Sequence, residues 1–263
     1  MAAARSTVCT RCYAGKYQRL TGQATCADCP PASACSTGSI IPTPCFPGSM
    51  AAAAGMPQCM PCPHGSYQPE PNATDCLPCE LGAHCSEGAS AALLCPSGSF
   101  GNATNLVSAA DCADCPEGHM CATGSAAPTP CEAGSASAAR SATCTRCAAG
   151  RYQPLAGQVS CGACPPGSAC PEGARVPTPC SAGSHASLSA QASCTPCAIG
   201  TYVKAHNAKE CTICDVGHFC STEGMAAPEL CQAGDCRLDC TRPSIASVLA
   251  YASCPRVTLR NIW

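Results

Sequence analysis

Leucine, isoleucine, valine and phenylalanine are scarce in this 263-residue chain, numbering 29 in all. A soluble domain normally draws more than about 20% of its residues from these four, and below that level a conventional core cannot offset the entropy of ordering the chain. Alanine is abundant, with 48 copies, but burying its methyl contributes much less than the ~1.5–3 kcal/mol of a buried Leu or Phe. Long apolar runs are missing as well. The longest candidate, 245–252, is interrupted by Ser247 and falls far short of the ~18 residues that a membrane-crossing helix needs. Charge is sparse, 14 basic against 16 acidic residues, which removes the basic patch of a nucleic-acid binder. Such weak charge also argues against disorder driven by self-repulsion. The opening stretch from Met1 to Cys9 lacks the apolar segment of a signal peptide.

What the chain has instead is cysteine, 31 residues of it. That density indicates a covalently stapled scaffold. The cysteines follow a ruler. Cys12-x2-Gly15-x-Tyr17 leads to Cys26-x2-Cys29, Cys35, Cys45 and Cys59-x2-Cys62, where the pattern starts again with Gly65 and Tyr67. Cys-x2-Gly recurs every 16 or 17 residues, and three such steps make a longer period of about 50. Tyr17, Tyr67, Phe100, Tyr152 and Tyr202 all stand five residues after a leading cysteine. Glycine in this motif permits a positive φ in a tight turn, and the aromatic is placed to cover a neighbouring disulfide.

The later part of each unit is equally regular. Pro42-Thr-Pro44-Cys45, Pro128-Thr-Pro130-Cys131 and Pro177-Thr-Pro179-Cys180 read as extended, hydrogen-bond-poor strands. The expected fold is therefore small and disulfide-rich: an elongated tandem array of short two-stranded β-ribbon modules with little helix. The ruler divides the chain into the end of an upstream module (1–11), repeats at 12–61 and 62–114, and a half repeat at 115–146. Repeats at 147–196 and 197–235 and a divergent tail at 236–263 complete it. The half repeat is so named because no leading Cys-Gly-aromatic segment is read before Cys115. Cys9 and Cys12 form the same Cys-x2-Cys junction that joins later modules, so the chain is expected to be a fragment or internal segment, opening inside a module that begins upstream.

Nine Cys-x2-Cys pairs raise a zinc alternative, and Cys9, Cys12, Cys26 and Cys29 come near zinc-ribbon spacing. Six cysteines per long unit, Gly-x-Tyr turns and little sequence for a zinc domain favour disulfides. One pairing joins Cys12–Cys26 and interlocks Cys29–Cys45 with Cys35–Cys59. It continues as Cys62–Cys76, Cys79–Cys95, Cys85–Cys112, Cys115–Cys131, Cys121–Cys144, Cys147–Cys161, Cys164–Cys180, Cys170–Cys194 and Cys197–Cys211. Cys214, Cys220 and Cys231 then pair among the last six cysteines, leaving Cys9 over. A rival scheme closes Cys29–Cys35 and Cys45–Cys59 instead. Spacing alone leaves both open.

The segment Cys147-Ala-Ala-Gly-Arg-Tyr152 through Cys161-Gly-Ala-Cys164-Pro-Pro-Gly167 resembles the ephrin-receptor-like cysteine-rich repeat. It is also similar to the tumour-necrosis-factor-receptor module, whose interlocked second pair matches the first scheme. The resemblance runs over residues 9 to about 231 and implies an extracellular stapled module. Two departures stand out: Ala32 replaces the usual glycine, and only five residues separate Cys29 from Cys35. No kinase or ligand-binding domain accompanies the repeats, so receptor signalling is not implied.

The sequence contains no Gly-x-Ser-x-Gly elbow, His-Glu-x-x-His or phosphate loop. Of the six histidines, His119 and His218 share one slot after Cys-x2-Gly and His84 lies one residue later, as expected of an inherited turn position. No catalytic residue, metal ligand or cofactor is assigned. Asn72 and Asn102 each begin an Asn-Ala-Thr sequon and are candidate glycosylation sites. The expected function is non-enzymatic: a secreted or membrane-tethered glycoprotein at the cell surface or outside the cell, spacing or presenting surfaces for a protein or glycan partner. Nucleic acid is not among the expected partners. A structural coat or matrix protein and an intracellular zinc-binding array are the competing readings.

Overall fold

A computed structural model describes residues 8–232 of the chain. The sequence expectations for Cys236, Cys240, Cys254 and the tail lie outside the described residues. Those described contain 13 two-stranded antiparallel ribbons, each strand two residues long, and no α-helix. The one helical element is a 3₁₀ turn, Ala109–Asp111. The ribbon expectation is thus borne out.

Each ribbon belongs to one turn of a 16- to 20-residue repeat. Turns begin at Cys12, Cys29, Cys45, Cys62, Cys79, Cys95, Cys115, Cys131, Cys147, Cys164, Cys180, Cys197 and Cys214. Turn 1 shows the plan. Gly15 reverses the chain at φ +86°, Lys16–Tyr17 forms the first strand, and Gly22 turns the tip at φ +74°. Ala27–Asp28 then returns as the second strand, in register Lys16↔Asp28 and Tyr17↔Ala27. Two left-handed positions recur in every turn. The second is filled by Gly, Asn, Ala or Arg, for example Asn72 at φ +58° and Arg140 at φ +61°. The ruler read from sequence marked the first position and missed the second, because its residue type varies.

Two bonds join each turn to its neighbour. The Gly15 N–H donates to the Cys35 carbonyl at 2.7 Å, and the Gly38 N–H donates back to the Cys12 carbonyl at 2.8 Å. The same pair recurs as Gly150 to Cys170 at 2.7 Å and Gly173 to Cys147 at 2.8 Å. Strands too short to form a sheet by themselves are thereby tied along the array, and polar backbone that a thin protein cannot hide is satisfied.

The core is made of sulfur. Cys29, Cys35, Cys45, Cys62 and Cys79 are fully buried, and cysteine supplies all of the largest fully buried side chains. Tyr202 and Val203 are the only large apolar residues in the buried class among those described. Aromatics sit over sulfur: Tyr67 packs on Cys79 and Cys85, Tyr152 on Cys164 and Cys170, and Tyr202 on Cys214 and Cys220. In this way one turn's aromatic covers the disulfide of the next.

The cover explains the half repeat. A leading segment does precede Cys115: Cys95 to Phe100 stands to turn 7 as Cys12 to Tyr17 stands to turn 2. Gly98 donates to the Cys121 carbonyl at 2.8 Å and Gly124 to the Cys95 carbonyl at 2.9 Å, repeating the bonds of turns 1 and 2. Tyr17, Tyr67, Phe100, Tyr152 and Tyr202 therefore each precede a turn closed by a short disulfide. Hydrogen bonds tie this turn in both directions, since Gly82 also donates to the Gly101 carbonyl and Asn105 to the Cys79 carbonyl, each at 2.9 Å.

The described chain falls into two compact units. One comprises 8–131 with 137–144, the other 132–136 with 145–232. Turns follow the same plan in both.

Candidate functional site

Disulfides decide what chemistry the cysteines can offer. Thirteen bonds form in two sizes. Long loops such as Cys12–Cys26, Cys45–Cys59, Cys62–Cys76, Cys147–Cys161 and Cys197–Cys211 each span 14 residues along the chain. Short loops, Cys29–Cys35, Cys79–Cys85, Cys115–Cys121, Cys164–Cys170 and Cys214–Cys220, each span 6. Cys95–Cys112, Cys131–Cys144 and Cys180–Cys194 complete the set.

The rival scheme is the one adopted. Cys29–Cys45, Cys35–Cys59, Cys79–Cys95, Cys85–Cys112, Cys115–Cys131, Cys121–Cys144, Cys164–Cys180 and Cys170–Cys194 do not form. Each turn closes on itself, so a cysteine's nearest sulfur is the one across its own ribbon or tight bend, and interlocking between turns has no place. Similarity to the tumour-necrosis-factor-receptor module therefore stops at the leading loop. The zinc-ribbon reading also loses its ligands, since Cys12, Cys26 and Cys29 are all bonded to other sulfurs. Cys9 is exposed and joins no disulfide.

The histidines are dispersed. His119 Nδ1 meets the Glu117 carbonyl at 2.9 Å, and His218 Nδ1 meets the Val216 carbonyl at 3.4 Å, both local turn contacts. His64 lies 3.7 Å from Glu87 on the surface. His185 alone touches sulfur, with Nδ1 3.2 Å from Cys211 Sγ. An open depression of about 430 Å³ is lined by Met50, His64, Ser66, Asp75 and Asn105, among others. It is shallow and holds no paired catalytic groups. Asp111 and Tyr202 are the acid–base groups with displaced equilibria. Hydrogen bonds from the Ser108 backbone and hydroxyl, then from the Val107 backbone, hold the Asp111 carboxyl below its ordinary value. The Tyr202 hydroxyl donates to Asp215 at 3.1 Å, which raises its value, with burial and the Asp215 charge adding to it. Both are structural: one caps a short 3₁₀ turn, the other fastens turn 12 to turn 13.

The outer surface is where the scarce aliphatics are. Ile40, Ile41, Leu93, Leu94 and Val176 are 57–64% exposed. All five follow a short disulfide, in the stretch that no long loop closes. With sulfur filling the interior, Val203 is the only branched aliphatic in the buried class among the described residues. The scarcity of Leu and Ile pointed to a missing core; where the few present would lie carried no signal in the sequence. Asn72 and Asn102 are both exposed, Asn72 at a turn tip with its own N–H donating to the Cys45 carbonyl at 2.9 Å. No helix among the described residues is long and apolar enough to cross a membrane.

Comparison with known families agrees with this architecture. The family described as tyrosine-protein kinase ephrin type A/B receptor-like matches residues 48–92 and 134–180. No curated protein matches the chain. The chain is a cysteine-rich repeat protein carrying two ephrin-receptor-like stretches, and such modules are receptor-type rather than catalytic.

Proposed function

We propose that this chain is an extracellular or cell-surface array that presents binding surfaces for a protein or glycan partner, without enzymatic activity of its own. The observation that carries the reading is the inversion of its apolar content. Disulfides occupy the interior, while Ile40, Ile41, Leu93, Leu94 and Val176 face outward. Turns closed by long loops add Leu20, Phe46, Leu155 and Leu188 to this exposed apolar surface, and apolar area of that kind is what a partner covers. Dependence on thirteen disulfides supports an oxidising compartment, because such bonds do not persist in a reducing cytosol. Ephrin-receptor-like repeats at 48–92 and 134–180 agree with receptor-type placement. Exposed Asn72 and Asn102 would carry N-linked glycans there.

The test is retention from extracellular fluid or matrix extract on the immobilised, secreted full chain, with the L93A/L94A variant and a reduced, alkylated control alongside. A partner held by the intact array, and lost or much weakened on both controls, supports presentation. Equal retention on all three, or none on any, would leave the coat or matrix reading in its place.

A further inference from the structure

The slot five residues after each leading cysteine lies over the next turn's disulfide. Tyr67, Tyr152 and Tyr202 fill it with rings. In turn 11 it holds His185, in the strand Ser184–His185, paired across the ribbon with Thr195. Its Nδ1 lies 3.2 Å from Sγ of Cys211, whose disulfide partner is Cys197. A disulfide sulfur has no hydrogen to give, so the imidazole N–H must donate. The nitrogen and both sulfurs lie within 4.8 Å of one another, the only such grouping of three metal-type donors among the described residues. Cys197 is buried, while Cys211 and His185 are half-buried, so a small reagent has a route to the pair.

We propose that Cys197–Cys211 is a redox-gated metal site, which on reduction offers two thiolates and the His185 imidazole to a zinc-class cation. In the oxidised chain the sulfurs are spent on each other. A thiol reductant R–SH opens the bond in two exchanges: the first thiolate attacks one sulfur, and the second resolves the mixed disulfide. Two R–SH are thereby oxidised to R–S–S–R, and Cys197 and Cys211 become thiols. The imidazole N–H beside Cys211 stabilises the thiolate that forms there, which no other described disulfide has available from a histidine. Binding the cation then releases both thiol protons to solvent, and the ring proton moves to Nε2 so that Nδ1 can ligate. Two sulfurs and one imidazole leave a fourth tetrahedral position for water or another ligand.

Geometry favours capture over collapse. The strand Thr201–Tyr202 inside this loop pairs with Thr212–Ile213 just beyond Cys211, and the Cα atoms of the two cysteines stand 5.8 Å apart. The Cys197 N–H is bonded to the Gly183 carbonyl at 2.9 Å, so the turn stays anchored to its predecessor after the sulfurs part.

The full chain should be treated with limiting dithiothreitol, trapped by differential alkylation and mapped by mass spectrometry, with Co²⁺ added to a parallel untrapped sample. Cys197 and Cys211 should be the first pair labelled. Co²⁺ should bind at about one equivalent with the sulfur-to-metal charge-transfer absorption of thiolate ligation. H185Y keeps a ring over the disulfide, as in neighbouring turns, and should slow opening about tenfold and weaken Co²⁺ binding by a similar factor. Intact mass under non-reducing conditions checks that the variant retains its disulfides, and H185Q serves if it does not. Labelling spread evenly over the disulfides, first opening elsewhere, or Co²⁺ binding indifferent to residue 185 would each overturn the proposal.

Discussion

Gly65 in turn 4 faces the backbone carbonyl of Asn105 in turn 6, so near that a Cβ on Gly65 would stand 2.5 Å from the oxygen. The contact skips a turn. It recurs as Gly15 with Gly55, Gly48 with Gly88 and Gly150 with Ala190. Within these pairs, a turn bonded to its neighbour also packs closely against the next but one. Glycine is required there twice over, for its positive φ and for the missing methyl.

The consequence is a difference between glycines of the same φ. Gly65→Ala should destabilise by about 3 kcal/mol, combining a left-handed alanine with a backbone clash. Gly22→Ala, at φ +74° with nothing within 4 Å of the added carbon, should cost only about 1 kcal/mol. Guanidinium unfolding with disulfides intact measures both. Equal losses would show that conformation alone, and not turn-to-turn packing, sets the requirement.

Ala32 is the natural exception. It holds φ +66° where other turns have glycine. Ala32→Gly should raise stability by about 1 kcal/mol, the penalty of a left-handed alanine being removed. A lower denaturation midpoint in the variant would contradict this reading.

Loop size grades the disulfides. By loop-closure entropy, removing the six-residue Cys164–Cys170 loop as a double Ala variant should cost about 2 kcal/mol, and the 14-residue Cys147–Cys161 loop about 3 kcal/mol. The same experiment on Tyr152→Ala should cost about 2 kcal/mol, because the ring that packs on Cys164 and Cys170 is lost. Peptide mapping should recover Cys164 linked to Cys170, and a fragment joining Cys164 to Cys180 would refute the pairing.

Acid should loosen one loop before the rest. Asp111 accepts from Ser108 N–H at 2.8 Å and from Val107 N–H at 3.2 Å, which lowers its titration below the ordinary 3.8. A lowered folded value stabilises the folded state above the unfolded value, and the benefit is lost as pH falls through the folded one. Amide exchange at Val107 and Ser108 should therefore accelerate below about pH 4. D111N should remove that pH dependence while leaving exchange in turn 9 unchanged.

The residues of this chain determined by themselves that it is stapled, repeated and ribbon-built, because cysteine spacing, Gly-x-aromatic turns and Pro-Thr-Pro strands are local signals carried within 20 residues. A deficit of Leu, Ile, Val and Phe excluded a conventional core on composition alone. Pairing was a different matter. Cys29 has both Cys35 and Cys45 ahead of it as candidate partners, and only the fold of each turn onto itself selects Cys35. The bond of Gly98 to Cys121, the fit of Gly65 against Asn105 and the approach of His185 to Cys211 were likewise decided by tertiary structure. Each brings together residues 23 to 40 positions apart, through contacts between turns that no short-range pattern encodes.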